Sequence, residues 1–309
     1  MDVARKAAIL LDRTAVLFIG LAVGGVITYS FLATGEASSA EGNGALPPQK
    51  AALASAANPA EIPAAMTPRL TSAVAEGRKI HIGVFGDSFG DGLHAALYKQ
   101  LPADQNFEVH KFSHPATGFT RYRVTNLLDD TRRKLATQPV DVAVLSFGAN
   151  DMQGIFLDGQ GAEFMSDRWK QIVSDRVGEV VGLLRAQGAA VYWVGLPRMR
   201  EPNYDRDVQA MNAFYVERMR QLDVPFIDTL SATVDGSGAY APYLMDPLKG
   251  ERIMARTNDG IHMTIPGYYL LTRGLADRIR RTVQEARGQA GPPPARQAAT
   301  ARPGAGSQG

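Results

Sequence analysis

The chain of 309 residues contains no cysteine, so disulfide bonds, thiol catalysis and cysteine-ligated metals are excluded. It also has little net charge, with 33 Lys and Arg against 31 Asp and Glu. A broad basic face for a phosphate backbone is therefore not expected, and neither is a nucleic-acid partner. The sequence has no Gly-rich loop ending in Lys-Ser or Lys-Thr, which argues against nucleotide binding.

One long hydrophobic run is present, at residues 14–33, and it contains no charged residue. A helix rising about 1.5 Å per residue over this length crosses a hydrocarbon core about 30 Å thick. Basic residues precede the run and acidic residues follow it, namely Arg5, Lys6, Arg13, Glu36 and Glu41. The positive-inside rule then leaves residues 1–13 in the cytoplasm and exports the rest of the chain.

A cleaved signal peptide is the alternative interpretation, because Ser38 and Ala40 provide small residues at a suitable spacing for cleavage after Ala40. The apolar run is longer than the usual 7 to about 15 residues of a signal sequence, which favours an uncleaved anchor. Both interpretations export the downstream domain. Gly20 and Gly24 form a Gly-x-x-x-Gly, so a weak homodimer through this helix is a further hypothesis.

Both ends of the exported part are rich in small and polar residues without apolar periodicity. Residues 34–72 are predicted to be a disordered linker, and residues 288–309 a disordered tail. Residues 73–287 remain as a single folded domain.

Within this domain, apolar strand patterns alternate with amphipathic helix patterns. Strands are predicted at 80–85, 107–112, 140–147, 190–194 and 225–228, and helices at 93–100, 123–136, 166–187, 205–222 and 267–286. Residues 234–257 are predicted to be irregular. The alternation predicts an α/β fold with a five-stranded, parallel, doubly wound (flavodoxin-like) sheet. Ligands of such sheets bind beyond the carboxyl ends of the strands.

A serine stands at the end of the first predicted strand, in Gly86-Asp87-Ser88-Phe89-Gly90. Its flanking glycines allow a sharp turn that projects the hydroxyl, which suits a nucleophile. The same residues satisfy Gly-x-Ser-x-Gly, the nucleophile elbow of α/β-hydrolases. That fold places its serine after several strands, whereas Ser88 follows the first, so this alternative is rejected.

A serine nucleophile needs a base, a group that orients the base, and donors for the oxyanion. His262 is the candidate base and Asp259, three residues earlier on a tight turn, is its orienting carboxylate. The candidate oxyanion donors are the backbone N–H of Ser88, the N–H of Gly118 and the side-chain amide of Asn150. Together these residues predict acyl transfer.

The blocks Gly-Asp-Ser, Gly118, Gly148-Ala-Asn-Asp151 and Asp259-Gly-Ile-His262 resemble the SGNH (GDSL-like) hydrolase family over about residues 80 to 286. The resemblance implies the roles given above and a three-layer α/β/α sandwich. Phe89 replaces the usual leucine of the first block. The layout looks like exported, membrane-anchored bacterial members of uncharacterised function, with the domain in the periplasm on an inner-membrane anchor or secreted there after cleavage.

The expected activity is that of a serine esterase acting on O-acyl esters, first of all O-acetyl groups, of cell-envelope glycans, with lipid esters as the second choice of substrate. No cofactor or metal is expected. Two alternatives stay open: an O-acyltransferase using the same residues, and a non-catalytic glycan-binding scaffold.

Several other polar residues invite a functional interpretation. Asp87 and Asp151 are expected to be structural, bonding turn amides. Arg121, Tyr122 and Arg123 either hold an anionic or sugar substrate or form a solvated rim. The histidines at 81, 94 and 110 show no metal-ligand spacing.

Overall fold

The computed structural model describes residues 64–290. The predicted cytoplasmic segment 1–13, the predicted membrane anchor 14–33, most of the predicted linker and residues 291–309 lie outside the described residues. Between residues 64 and 290, no helix combines the length and hydropathy needed to cross a bilayer.

Strands and helices alternate along the described chain. In order they are α1 (Pro68–Ala75), β1 (Ile80–Gly86), α2 (Ser88–Gln100), β2 (Phe107–Lys111), α3 (Leu127–Thr137), β3 (Val142–Ser146), β4 (Ile155–Leu157), β5 (Gln160–Ala162), α4 (Asp167–Ala186), β6 (Ala190–Val194), α5 (Pro202–Gln221), β7 (Phe226–Ile227), α6 (Leu230–Thr233), β8 (Tyr243–Asp246), β9 (Glu251–Met254) and α7 (Ile265–Ala290).

The main sheet has five strands in the order β2-β1-β3-β6-β7, and every pair is parallel. The predicted five-stranded, doubly wound sheet is therefore confirmed. All residues of the central strand β3 and of its neighbour β6 are buried, as expected for strands covered on both faces. The segment predicted to be irregular contains an antiparallel hairpin, β8 with β9, because cross-strand pairing orders it locally.

Helices cover both faces of the sheet, which gives the expected α/β/α sandwich. On one face, α1, α2 and α7 pack on side chains such as Ile82 and Val84 of β1. On the other, α3, α4 and most of the apolar face of α5 pack around Phe85, Leu145 and Trp193. Alternate residues of β1 thus enter different cores, as the pleat of a strand requires.

The folded part begins earlier than residue 73, because α1 starts at Pro68, within the predicted linker. Thr67 caps this helix by accepting a hydrogen bond from the N–H of Leu70 at 3.2 Å, and Pro68 occupies its first turn. Leu70 is fully buried in the core. Arg69 reaches the buried carboxylate of Asp141 at 3.0 Å, beside the amino end of β3. These contacts order a segment whose composition alone predicts disorder. At the other end of the domain, α7 continues to Ala290, three residues beyond the predicted boundary.

The end of β1 lies very close to its neighbours. A Cβ atom on Gly86 would lie 2.5 Å from the backbone oxygen of Ser146 and 2.9 Å from the Cα of Gly90. We expect Gly86→Ala to lower the free energy of unfolding by about 2 kcal/mol, because backbone atoms cannot move aside cheaply. Urea unfolding measures this.

Gly182 is the matched control for this substitution. It lies on α4 with no atom within 4 Å of an added Cβ. Gly182→Ala is expected to raise the free energy of unfolding by roughly 0.5–1 kcal/mol, through helix propensity. Equal stability of the two variants would contradict the close contact at Gly86.

Candidate active site

Ser88 is the first residue of a helix, at the carboxyl end of β1. The sequence predicts the helix from Leu93, but α2 begins five residues earlier because Asp87 caps it. The Asp87 carboxylate accepts a hydrogen bond from the N–H of Phe89 at 2.9 Å. The N–H groups of the first helical turn therefore lie next to the serine hydroxyl, and the positive end of the helix favours negative charge there.

The structure brings the three predicted catalytic residues together. His262 Nε2 lies 2.8 Å from the Ser88 hydroxyl oxygen, and His262 Nδ1 lies 2.7 Å from the Asp259 carboxylate. The side chains of His262 and Asp259 are 36% and 44% exposed. The arrangement is therefore a hydrogen-bonded Ser-His-Asp relay at an open surface of the protein.

The Asp259 carboxylate organises the turn that carries the histidine. One of its oxygens accepts hydrogen bonds from the N–H groups of Ile261 and His262, at 2.8 and 3.0 Å, and from the Thr257 hydroxyl at 2.6 Å. Gly260 adopts a positive φ of 75°, which glycine tolerates without strain. Partial burial alone would raise the pKa of Asp259, but these hydrogen bonds together with that from His262 hold it well below its usual value.

The candidate oxyanion residues Gly118 and Asn150 also meet. The Asn150 side-chain amide donates a hydrogen bond to the carbonyl of Thr117 at 3.1 Å, directly before Gly118. A Cβ on Gly118 would lie 2.4 Å from a carboxyl oxygen of Asp151, so only glycine fits between these two loops. The loops after β2 and β3 are thereby held against each other at the sheet edge where Ser88 lies.

Asp87 and Asp151 are both fully buried beneath this edge, and their contacts fit the structural roles expected of them. Asp151 accepts hydrogen bonds from the N–H and the hydroxyl of Thr120, at 2.7 and 2.8 Å. Burial raises the pKa of Asp151, and it raises the pKa of Asp87 to about 7 even though the N–H of Phe89 opposes the change.

Residues 81–278 match a family model described as "Protein of unknown function (DUF459)". The chain belongs to that family. No curated protein matches it. The fold, and the meeting of the sequence blocks at one sheet edge, confirm the resemblance to the SGNH (GDSL-like) hydrolases.

Solved structures similar to this DUF459 chain include three esterases or lipases. A GDSL-like lipase from Bacteroides thetaiotaomicron is 15% identical with a TM-score of 0.45, covering 67% of this chain and 88% of its own. A carbohydrate esterase of family 3 from Talaromyces cellulolyticus is 10% identical with a TM-score of 0.46, covering 67% and 99%. A psychrotrophic esterase from a Pseudoalteromonas species is 14% identical with a TM-score of 0.45, covering 66% and 98%. These values are too low to transfer an activity to this chain.

Two residues missed by the sequence analysis support the histidine of the DUF459 chain. The Phe89 ring lies against the His262 ring, with centroids 5.3 Å apart and planes inclined by 24°. The residue that departs from the usual leucine therefore packs on the candidate base. Arg256 is 1% exposed and donates a hydrogen bond to the carbonyl of Ile261 at 3.3 Å, and burial lowers its pKa to about 10. Phe89 and His262 are far apart in the sequence, so no local pattern predicts their contact, and the burial of Arg256 depends on the packing of the segments around it.

Two of the three histidines that show no metal-ligand spacing in the sequence, His81 and His110, are in contact. His81 and Glu108 are paired across β1 and β2, and His110 follows on the same face of β2. His81 Nδ1 lies 2.9 Å from His110 Nε2, and Glu108 lies 4.0 Å from the latter atom. Their ligand atoms lie close enough together to hold a cation, because pairing of neighbouring strands supplies a proximity that linear spacing does not show. An N–H···N hydrogen bond accounts for the pair. His81 stands near the amino end of β1, whereas Ser88 follows the carboxyl end of that strand.

The raised pKa of Asp87 predicts a change of stability with pH. The folded chain keeps this carboxyl protonated up to about pH 7, whereas the unfolded carboxyl ionises near pH 4. The folded state binds more protons between these values, so the free energy of unfolding falls as pH rises through this window. Asp87→Asn lacks this titrating group. The free energy of unfolding of the variant minus that of the parent, measured by urea unfolding, should therefore rise by up to roughly 4 kcal/mol between pH 4 and 7.5.

Asp104→Asn provides the comparison, because Asp104 is exposed. The stability of Asp87→Asn relative to the parent should change with pH several times more than that of this exposed variant. Equal changes in the two variants would contradict the raised pKa of Asp87.

Proposed function

We propose that this DUF459 chain is a serine ester hydrolase with Ser88 as nucleophile, His262 as general base and acid, and Asp259 as the orienting carboxylate. The observation that carries the proposal is the continuous pair of hydrogen bonds from Ser88 through both ring nitrogens of His262 to Asp259, at 2.8 and 2.7 Å. A nucleophile, a base and an orienting acid in this geometry support acyl transfer.

In the first half-reaction, the Ser88 oxygen attacks the ester carbonyl carbon while His262 Nε2 takes the hydroxyl proton. The resulting oxyanion accepts hydrogen bonds from the N–H groups of Ser88 and Gly118 and from the Asn150 amide. The C–O bond to the alcohol then breaks, and His262 returns the proton to the leaving oxygen. An acyl group remains on Ser88.

In the second half-reaction, His262 removes a proton from water, which attacks the acyl carbon and releases a carboxylic acid and free Ser88. Asp259 stabilises the imidazolium that forms in both halves. Its lowered pKa keeps it ionised at neutral pH, so this stabilisation is available throughout the neutral range.

The substrate that we propose is an O-acyl ester, first of all an O-acetyl ester, of a cell-envelope glycan. The solvent exposure of His262 and Asp259 supports this choice, because an open site accepts an ester on a bulky polymer. The predicted export of the domain supports it too. We propose accordingly that the domain lies in the bacterial periplasm, on the inner-membrane anchor predicted at residues 14–33 or free after cleavage.

Replacement of the nucleophile tests the activity. Ser88→Ala is expected to lower kcat/KM on p-nitrophenyl acetate by about 1,000-fold or more and to abolish labelling by a fluorophosphonate. Ser174→Ala is the matched control, since Ser174 lies half-buried on α4 and its hydroxyl serves no proposed step. Failure of the parent chain to be labelled at Ser88 would overturn the hydrolase and favour the glycan-binding scaffold.

Asp259→Asn tests the orienting carboxylate. An amide cannot stabilise the imidazolium by charge, and it favours the wrong tautomer of His262. We expect kcat on p-nitrophenyl acetate to fall about 100- to 10,000-fold, with KM changed much less. Stopped-assay kinetics measure both constants, and a variant of unchanged kcat would remove Asp259 from the mechanism.

The same site could pass its acyl group to a sugar hydroxyl in place of water. Incubation of the parent chain with p-nitrophenyl acetate, with and without a glycan acceptor, separates the two outcomes. Acetate as the main product in both incubations supports the hydrolase, whereas acetylated glycan as the main product supports the acyltransferase.

A further inference from the structure

A surface groove lies beside the candidate oxyanion residues. It has a volume of about 380 Å³ and is formed by the loop after Gly118, the segment that includes β4, and one residue of α4. We call it the arginine groove and define it by Thr120, Arg121, Arg123, Gln153, Phe156 and Arg176.

Its position follows from short connections along the chain. Thr120 stands two residues after Gly118, and Gln153 stands three residues after Asn150. The Gln153 amide donates a hydrogen bond to the Thr120 hydroxyl at 3.0 Å, so the two segments meet at this end of the groove. Two residues of extended chain span at most about 7 Å, so the groove begins next to the proposed oxyanion donors.

The charged residues that line the arginine groove are all arginines. Three arginines line it, and no Asp or Glu is among its lining residues. Some exposed arginines elsewhere in residues 64–290 pair with a carboxylate one helical turn away, as Arg132 does with Asp129 at 2.5 Å and Arg220 with Glu217 at 2.7 Å. In this described part of the chain, none of the three groove arginines has a carboxylate oxygen within the 4.0 Å range of an ion pair.

Two of these arginines are held in place without neutralising their charge. Arg176 donates a hydrogen bond to the carbonyl of Phe119 at 2.6 Å, and its guanidinium lies 4.3 Å from the centroid of the Tyr122 ring. Arg121 donates a hydrogen bond to the carbonyl of Ala116 at 3.2 Å. Glu179 and the buried Asp151 interact electrostatically with Arg176, but neither carboxylate lies within ion-pair distance of it. Fixed and unneutralised guanidinium groups are suited to carboxylate or phosphate oxygens.

The groove also offers apolar surface. Phe156 is 60% exposed on β4, and Val124, which also lines the groove, is 81% exposed. Such side chains contact the C–H faces of a sugar ring, while the arginines contact its anionic substituents. A mixture of apolar surface and a few fixed polar groups is typical of a ligand site.

We propose that the arginine groove binds an anionic sugar unit, carrying a carboxylate or a phosphate, next to the acylated unit of the substrate. The proposal rests on the ester hydrolase proposed above, because that function places the scissile ester at Ser88. It makes the chain selective for anionic over neutral acylated glycans.

The test compares acetylated oligogalacturonate with acetylated xylo-oligosaccharide, using the full chain in detergent. The parent should show the higher kcat/KM on the anionic substrate. In the double variant Arg121→Gln, Arg123→Gln, the ratio of anionic to neutral kcat/KM should fall about tenfold or more, because two charged contacts are lost. The double variant Arg132→Gln, Arg133→Gln on α3 should leave this ratio unchanged.

Titration of the Ser88→Ala variant with oligosaccharides tests binding in the groove independently of ester hydrolysis. Calorimetric titration with oligogalacturonate, oligo(glycerol phosphate) and neutral xylo-oligosaccharide gives three affinities, and tighter binding of the first or of the second identifies the carboxylate or the phosphate source. Equal binding of all three, or an equal loss in both double variants, would overturn the proposal. If the parent neither hydrolyses p-nitrophenyl acetate nor is labelled by a fluorophosphonate, the proposed function fails while these titrations still decide the groove.

Discussion

The close pairing of β1 with β3 is the contact on which the rest of the site depends. Gly86 lies opposite Ser146 in the parallel register, so near that an added Cβ would meet the backbone. The strands end at the same edge, and the loops that follow them carry Ser88 and Asn150. Because α2 starts one residue after Asp87, the serine sits on a rigid helical turn whose position is set by the sheet.

Two aspartates at the carboxyl ends of the strands have pKa values shifted in opposite directions. Asp259 is partly exposed and accepts hydrogen bonds from two backbone N–H groups, Thr257 and His262, which stabilise its anion. Asp87 is fully buried, and one of its oxygens has no hydrogen-bond partner within the described part of the chain, so its neutral form is favoured. Solvation and donor count therefore decide which carboxylate orients His262 and which holds the helix terminus.

The reactivity and the selectivity that we propose belong to different loops at the carboxyl ends of the strands. The turn before α7 carries the proposed base His262 and its partner Asp259, and both side chains are partly exposed to solvent. The loops after β2 and β3 join through Asp151, which accepts two hydrogen bonds from Thr120, and they carry the oxyanion candidates on one side and the arginine groove on the other. A substrate whose ester lies at Ser88 thus passes beside fixed positive charge, which connects the proposed chemistry with a preference for anionic glycans.

The sequence by itself predicted the five-stranded, parallel, doubly wound sheet and singled out Ser88, Asp259 and His262, which the structure brings together, because apolar periodicity and polar residues after strands are local properties. Tertiary structure alone decided the inclusion of α1 in the core, the contact of His81 with His110, the packing of Phe89 on His262 and the arrival of Arg176 beside Tyr122. Each joins positions many residues apart. Periodicity shows which face of an element is buried, but the neighbour that buries it is set by the packing of the whole domain.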